Sequence, residues 1–200
     1  MVRKYLWPVI GLLTVTGLAV SFAEEAADAA AKDAMAVVEQ YILNLRGQDW
    51  EKCAGLMHPD ALTDLKKMFV ELAELAEKQG AEKTVLNLFE GVENVKAFKE
   101  LEPQSFFVRF MKGLSRVSPQ FKDNLAESTW EFVGAIKERG DLLHLVGRTS
   151  RMIGDSKTTK MAVESLKRHD GNWRLLLKGD FESMAATAKK RYTGHEKKTE

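Results

Sequence analysis

The stretch that decides the fold is residues 129–178, which reads TWEFVGAIKE-RGD-LLHLVGRTSRMI-GDSK-TTKMAVESLKRH-DGN-WRLLLK. Its four longer segments are rich in aliphatic, aromatic and threonine side chains, and apolar and polar residues alternate along them, as in strands with one buried face. Short Gly-containing turns separate the segments, a pattern typical of hairpins. The stretch therefore predicts a four-stranded antiparallel meander with strands at 129–138, 142–153, 158–169 and 173–178.

Upstream of this stretch the apolar residues recur every three to four positions, which predicts amphipathic helices. We expect helices at about 35–45, 50–57, 61–78, 84–89 and 104–114, and one more after the sheet at 181–190. Gly47 and Gly80 are expected to end the first and third helices. Helices followed by a curved antiparallel sheet predict an α+β fold, with the helices packed on one sheet face.

Both ends of the chain differ from this domain. Residues 1–23 combine two early basic residues, a twelve-residue apolar run and the small-residue motif Ser21-Phe22-Ala23, as in a cleaved secretory signal peptide. The run is shorter than the roughly 20 residues that span a bilayer, so no stable membrane span is expected after cleavage. We predict a cut after Ala23 and a periplasmic or secreted protein. Residues 24–33 are expected to be a loose lead-in, 34–190 one domain, and 191–200 a disordered charged tail.

Composition excludes several classes of function. Thirty Lys and Arg balance 29 Asp and Glu, so there is no global field to attract nucleic acid. The single cysteine, Cys53, excludes an internal disulfide and is expected to be a small core residue. The four histidines lack the spacing of metal ligands, and no glycine-rich phosphate loop is present. Neither a metal nor a cofactor is predicted.

Two pieces of sequence resemble one family. AVVEQY at 36–41, GQDW at 47–50 and LMHPDA at 56–61 resemble the opening of the nuclear transport factor 2-like (NTF2-like) superfamily, and KRHDGNWRL at 167–175 resembles its closing hairpin. The resemblance implies a cone-shaped α+β fold with a pocket, and a homodimer formed through the sheet face. Residues 61–127 depart from the compact members, because they form a much longer helical insertion.

The resemblance also bears on catalysis. In NTF2-like ketosteroid isomerases a tyrosine of the first helix donates a hydrogen bond to the oxyanion, and Tyr41 coincides with it. The position of the general-base aspartate falls on Leu65, which cannot accept a proton, so the isomerase assignment does not carry over. The alternative is that Tyr41 packs its ring in the core with its hydroxyl at the edge of a cavity. For the turn His58-Pro59-Asp60 we expect Asp60 to cap the third helix rather than to act in catalysis.

Alternation along the strands supplies the remaining pocket candidates. His144 and Arg148 share one face of the second strand, and Glu164 is grouped with them from the third. If this mixed face lines the cone, the three side chains can bind a polar or anionic ligand. If it faces solvent or a second subunit, they are cross-strand ion pairs worth about 0.2–1 kcal/mol each. Trp130 and Trp173 are expected in the sheet core or its pocket.

Three functions are compatible with these features. The preferred hypothesis is an exported, non-catalytic ligand-binding or assembly module of the cell envelope. The first alternative is an NTF2-like isomerase, dehydratase or hydrolase of a small apolar substrate, using Tyr41 and His144. The second is a carrier of lipids or other apolar ligands, suggested by the aromatic helix near 106–110.

Overall fold

A computed structural model describes residues 15–138, 141–153 and 156–193. Most of the predicted signal peptide's basic and apolar start (1–14) and the last residues of the predicted tail (194–200) lie outside the described residues. The described ranges contain eight helices and four strands. They are α1 Val15–Arg46, α2 Trp50–Leu56, α3 Pro59–Glu77, α4 Glu82–Leu86, α5 Val95–Glu100, α6 Pro103–Val117, α7 Pro119–Ala126, β1 Thr129–Lys137, β2 Leu142–Ile153, β3 Ser156–His169, β4 Asn172–Leu175 and α8 Gly179–Thr193.

The sheet is the predicted antiparallel meander, with strand order β1-β2-β3-β4. β2 and β3 pair along nearly their whole length, from Leu142 opposite Lys167 to Ile153 opposite Ser156. β4 is shorter than predicted and covers only the last four residues of β3. A bulge between Phe132 and Gly134 shifts the register of β1. Such bulges increase the local twist of a strand.

The helices and the sheet together confirm the α+β class, but the first and the last helix are both longer than predicted. Residues 24–33, expected to be a loose lead-in, belong to α1. Alanine is the strongest helix former, so this alanine-rich run extends the helix that follows it. At the other end α8 is longer than predicted and includes residues 191–193, which had been assigned to the tail.

The turn between α2 and α3 is also corrected. Asp49 caps α2, because its carboxylate accepts the N–H of Lys52. The cap of α3, however, is His58 rather than Asp60: the His58 Nδ1 accepts the Asp60 N–H at 3.1 Å, and Pro59 is the first helical residue. Asp60 instead pairs with Lys167 on β3, with 3.0 Å between carboxylate and ammonium. A histidine ring nitrogen thus caps the N-terminus of α3, a position at which Ser, Thr, Asp or Asn is more common.

The predicted insertion at 61–127 contains five helices, α3 to α7. Two of them, α5 and α7, were not predicted. Its centre is a cluster of rings whose neighbouring centroids lie 4.6–6.4 Å apart. We call it the phenylalanine cluster; it consists of Phe69, Phe89, Phe98, Phe106 and Phe110, all fully buried. These spacings are those of favourable tilted and edge-to-face pairs.

The two sheet faces have different environments. The inner face packs Leu143, Leu145 and Leu166 against the helices, where they are fully buried. α1 contacts β1, β2 and β4, and so lies across this face. The outer face carries large apolar side chains that are about half exposed, among them Ile136, Met161 and Val163. The core of the molecule therefore lies between the sheet and the helices.

Candidate binding cleft between the first helix and the sheet

A cleft of about 240 Å³ opens where the end of α1 and the helix α7 meet the far end of the sheet. Its lining comes from five elements, from Ser128 between α7 and β1, and from the segment that follows β4. The lining residues are Ile42, Leu45, Phe121, Leu125, Ser128, Thr129, Trp130, Thr149, Ser150, Thr158, Lys160, Glu164 and Lys178. Arg46 closes the end of α1 onto the start of β1 by donating to the Ser128 carbonyl.

One wall of the cleft is apolar. Ile42 and Leu45 come from α1, Phe121 and Leu125 from α7, and all four are partly buried against the core. Trp130 forms the floor on the sheet side. Its ring lies directly on Gly147, because a Cβ at that position would stand 2.3 Å from the indole. Only glycine lets the ring lie this close to the strand. The indole nitrogen is buried and has no hydrogen-bond partner among the described residues.

The opposite wall contains a buried carboxylate. The Glu164 side chain is 5% exposed, and its Oε1 accepts from the Lys178 ammonium at 2.6 Å, while Lys178 is 41% exposed. A carboxylate that is buried without a partner would cost several kcal/mol, so the lysine is what makes its position tolerable. Lys178 lies in the segment after β4, and its ion pair with Glu164 links this segment to β3 at the cleft.

Tyr41 lies close behind this wall without lining the cleft. Its ring is buried in the core, and burial, together with the nearby Cys53 and Glu164, raises the pKa of its hydroxyl. The hydroxyl is therefore protonated across the physiological range. The structure thus brings Tyr41 near Glu164, another of the pocket candidates, and places its ring in the core, as one of the two alternatives expected.

Lys160 adds a second cation at the rim. It stands four residues before Glu164, so the two share the inner face of β3. Among the side chains that the structure describes, the ion pairs found do not include Lys160. Thr149, Ser150 and Thr158 also line this end of the cleft; the Thr149 hydroxyl donates to the Lys160 carbonyl, and the Ser150 hydroxyl is hydrogen-bonded to that of Thr159. Because Lys178 already offsets Glu164, the polar end of the cleft has a net positive charge.

His144 and Arg148 do not reach this cleft. The register places His144 opposite Ser165 and Arg148 opposite Met161, on the outer face, whereas Glu164 lies opposite Leu145 on the inner face. The mixed face expected from alternation is therefore wrong in grouping Glu164 with them, because alternation within each strand does not give the register between strands. On the outer face His144 contacts Ser165 at 2.8 Å, and Arg148 lies 3.9 Å from Glu131.

Trp173 is on the inner face but at the other end of the sheet. It is 6% exposed, and the Arg168 guanidinium lies 4.9 Å from its ring centroid. Both tryptophans thus lie where the strand positions predicted, in the sheet core or in its cleft. Of the six pocket candidates only Trp130 and Glu164 line the cleft, so the six do not form one site. Lys160 and Lys178 were missed, although the period of two places Lys160 on the Glu164 face.

The other reactive side chains have structural roles. Burial raises the pKa of the Cys53 thiol to about 12, so this cysteine is the inert core residue predicted. Burial also lowers the pKa of His58, whose Nδ1 is occupied by the cap of α3. No group of three or more metal-binding side chains occurs among the described residues. Nor does any helix in that part of the chain have the length and apolar character needed to cross a membrane.

Comparison of the chain with protein-family models, with curated proteins and with solved structures gave no match. The NTF2-like resemblance therefore rests on the sequence motifs alone. The fold itself is α+β with a four-stranded antiparallel sheet.

Proposed function

We propose that this chain is an exported, non-catalytic binding module whose cleft holds a small amphipathic molecule with an anionic group. The observation that carries the proposal is the arrangement of charge in the cleft. An apolar wall from α1, α7 and Trp130 faces a polar end at which Glu164 is paired with Lys178, while Lys160 has no ion-pair partner among the described residues. Ligand sites commonly combine such an apolar lining with a few convergent polar groups.

The sign of the ligand charge follows from this pairing. A cationic ligand would meet two lysines and would have to displace Lys178 from a buried carboxylate, which is costly. An anionic group would instead approach Lys160 while the existing pair stays intact. The hydroxyl of Thr158, which also lines the cleft, can donate a hydrogen bond to the same group. We therefore favour a carboxylate, sulfonate or phosphate head on an apolar body.

The enzyme alternative loses its proposed residues. It required Tyr41 and His144 in one pocket, but Tyr41 packs in the core below the inner face and His144 lies on the outer face. A hydrogen-bond donor and a proton acceptor on opposite sides of a sheet cannot act on one substrate. A carrier of apolar ligands, by contrast, fits within the present proposal as the case in which the anionic group is a lipid head.

Two further parts of the proposal come from other features. Export is supported by the three-part pattern of residues 1–23. Mass spectrometry of the exported protein should give a chain that begins at Glu24, and an intact N-terminus would contradict it.

A sheet-face homodimer is supported by the exposed Ile136, Met161 and Val163 of the outer face. Sedimentation of the mature chain would test it, with a monomer at all concentrations as the contradicting result.

The cleft is tested with two dyes that differ in charge. The anionic dye 8-anilinonaphthalene-1-sulfonate and its neutral analogue N-phenyl-1-naphthylamine share one apolar body, and both gain fluorescence in apolar sites. We expect the mature chain to bind the sulfonate at least tenfold more tightly. Lys160→Gln should remove this preference and leave the neutral dye unchanged. Lys96→Gln, at an exposed position of α5, is the matched control and should change neither affinity. Equal binding of both dyes by the unaltered chain would contradict the proposal.

A further inference from the structure

The third strand has an edge that the sheet leaves largely unpaired. β4 pairs with β3 only from Leu166 to His169, and the Leu176 N–H adds one bond to the Ser165 carbonyl at 2.8 Å. Toward the other end of β3 no described strand lies beside this edge, since β2 occupies the opposite side. An unpaired strand edge presents a row of free N–H and C=O groups to any other extended chain.

The backbone groups that face outward can be identified from the pairing. Ser165 accepts a bond from the β4 side, whereas the Arg168 N–H points toward β2 and donates to the Asp141 carbonyl. Odd-numbered residues of β3 therefore direct their peptide groups to the free edge, because these directions alternate along an antiparallel strand. Thr159, Met161 and Val163 are the outward-facing residues of the unpaired part.

A groove runs beside this edge and joins the binding cleft. It has a volume of about 420 Å³ and lies between β3 and the segment 176–179. Thr149, Lys160 and Lys178 line both the groove and the cleft, so the two are continuous. Met161 and Val163, 55% and 53% exposed, offer apolar surface on the outer side of the same edge. The edge thus has lysines on its inner side and apolar side chains on its outer side.

We propose that the free edge of β3 binds an extended acidic peptide of a partner protein by strand addition. The peptide backbone would bond to the outward peptide groups of Thr159, Met161 and Val163, which supplies the affinity of this mode. Because side chains alternate between the faces of a strand, acidic residues of the peptide would lie toward Lys160 and Lys178 while apolar ones cover Met161 and Val163. This interaction does not depend on the proposed small-molecule ligand, although both would use Lys160.

Charge favours a peptide over a second copy of this chain. Two β3 edges paired antiparallel about Met161 would place the Lys160 side chains of both copies on one face in diagonal positions, where like charges repel. An acidic strand instead neutralises the lysines. Pairing between copies is accordingly an outcome that would overturn the proposal.

The test uses the mature full-length chain and two fluorescein-labelled octapeptides, acetylated and amidated at their ends. One alternates valine with glutamate and the other alternates valine with lysine. We expect the glutamate peptide to bind at least tenfold more tightly by fluorescence anisotropy. Hydrogen exchange resolved by residue should show the amides of Thr159, Met161 and Val163 slowed at least tenfold by the glutamate peptide. The amides of Lys160 and Ala162, which face β2, should be slow with or without it.

Two variants separate strand addition from simple charge attraction. Met161→Pro removes one outward N–H and should weaken binding at least tenfold, whereas the matched variant Met161→Thr keeps the N–H and should stay within twofold. If circular dichroism shows that Met161→Pro does not fold, the exchange of the edge amides decides whether the peptide adds as a strand. Lys160→Glu then tests the charge preference, which should reverse to the lysine peptide. Equal binding of both peptides, unchanged amide exchange, or edge amides protected only as protein concentration rises would each overturn the proposal. Binding of the anionic dye is read separately, so the two proposals can fail independently.

Discussion

The phenylalanine cluster and the binding cleft lie on the same helical side of the sheet but are built in opposite ways. In the cluster five fully buried rings pack on one another with centroids as close as 4.6 Å. In the cleft a single aromatic ring, Trp130, lies on the strand, and the space above it is left open beside a buried ion pair. The helical insertion thus supplies stability, while the end of the sheet provides room and charge.

The comparison shows how one small domain divides these tasks. Close-packed interiors are sensitive to the loss of even one methylene, because the surroundings relax only in part. A cleft has no such constraint, since its side chains already border open space. Substitutions in the cluster should therefore lower stability more than those in the cleft, whereas substitutions in the cleft should change ligand binding more.

The largest effect is expected for truncation in the phenylalanine cluster. Phe106 contacts Phe69, Phe89 and Phe98 and is fully buried, so Phe106→Ala should lower the free energy of unfolding by about 3–5 kcal/mol. Phe121→Ala, in the cleft, should cost less than about 2 kcal/mol, because its ring is only partly buried. Urea denaturation measures both. Similar losses for the two variants would remove the contrast between the regions.

A pair of glycines provides the next test. A Cβ at Gly113 would lie 2.1 Å from the Leu88 carbonyl oxygen, and backbone cannot move aside cheaply. At Gly147 the Cβ would meet the side chain of Trp130, which can swing into the cleft. Gly113→Ala should cost about 1–3 kcal/mol by overpacking and Gly147→Ala less. Thermal unfolding compares them, and the reverse order would contradict this account of the cleft floor.

The cap of α3 predicts a pH dependence. Burial lowers the pKa of His58 in the folded state, so below the unfolded value of about 6.5 the unfolded chain binds a proton that the folded chain does not. The stability contributed by neutral His58 is therefore present above pH of about 6.5 and is lost as the pH falls through that value.

His58→Asn keeps a good capping side chain and removes the titration. Its free energy of unfolding should differ from that of the unaltered chain by an amount that changes between pH 7 and pH 5, in the direction of a relatively more stable variant at the lower pH. A constant difference across that range would show that His58 does not titrate with unfolding.

The smallest effect is expected at Tyr41. Tyr41→Phe removes one hydroxyl and little volume, so stability should change by less than about 1.5 kcal/mol, the net value of one hydrogen bond. Since the ring is in the core and does not line the cleft, binding of the anionic dye should stay within twofold. A large loss of dye affinity would place the hydroxyl in the binding site after all.

The elements that follow from local pattern were predictable. Alternation with Gly-containing turns predicted the meander, and helical periodicity predicted α1, α3 and α6, because each period reflects which side chains one element buries. The short helices α5 and α7 were missed, although α2 and α4, which are no longer than α7, were predicted. The alanine-rich run before residue 34 is helical by propensity rather than by amphipathicity.

The candidate site was only partly predictable, and the reason is register. The sequence alone determined that β2 and β3 each have two different faces, and that Trp130 lies near a strand start. Only tertiary structure decided that Glu164 opposes Leu145 and so lies inside, while His144 and Arg148 lie outside. A shift of one residue between two strands exchanges their faces, and nothing within a single strand specifies that shift. The pairing of Glu164 with Lys178, fourteen residues away, exists only because the turn after β3 brings the chain back across the sheet.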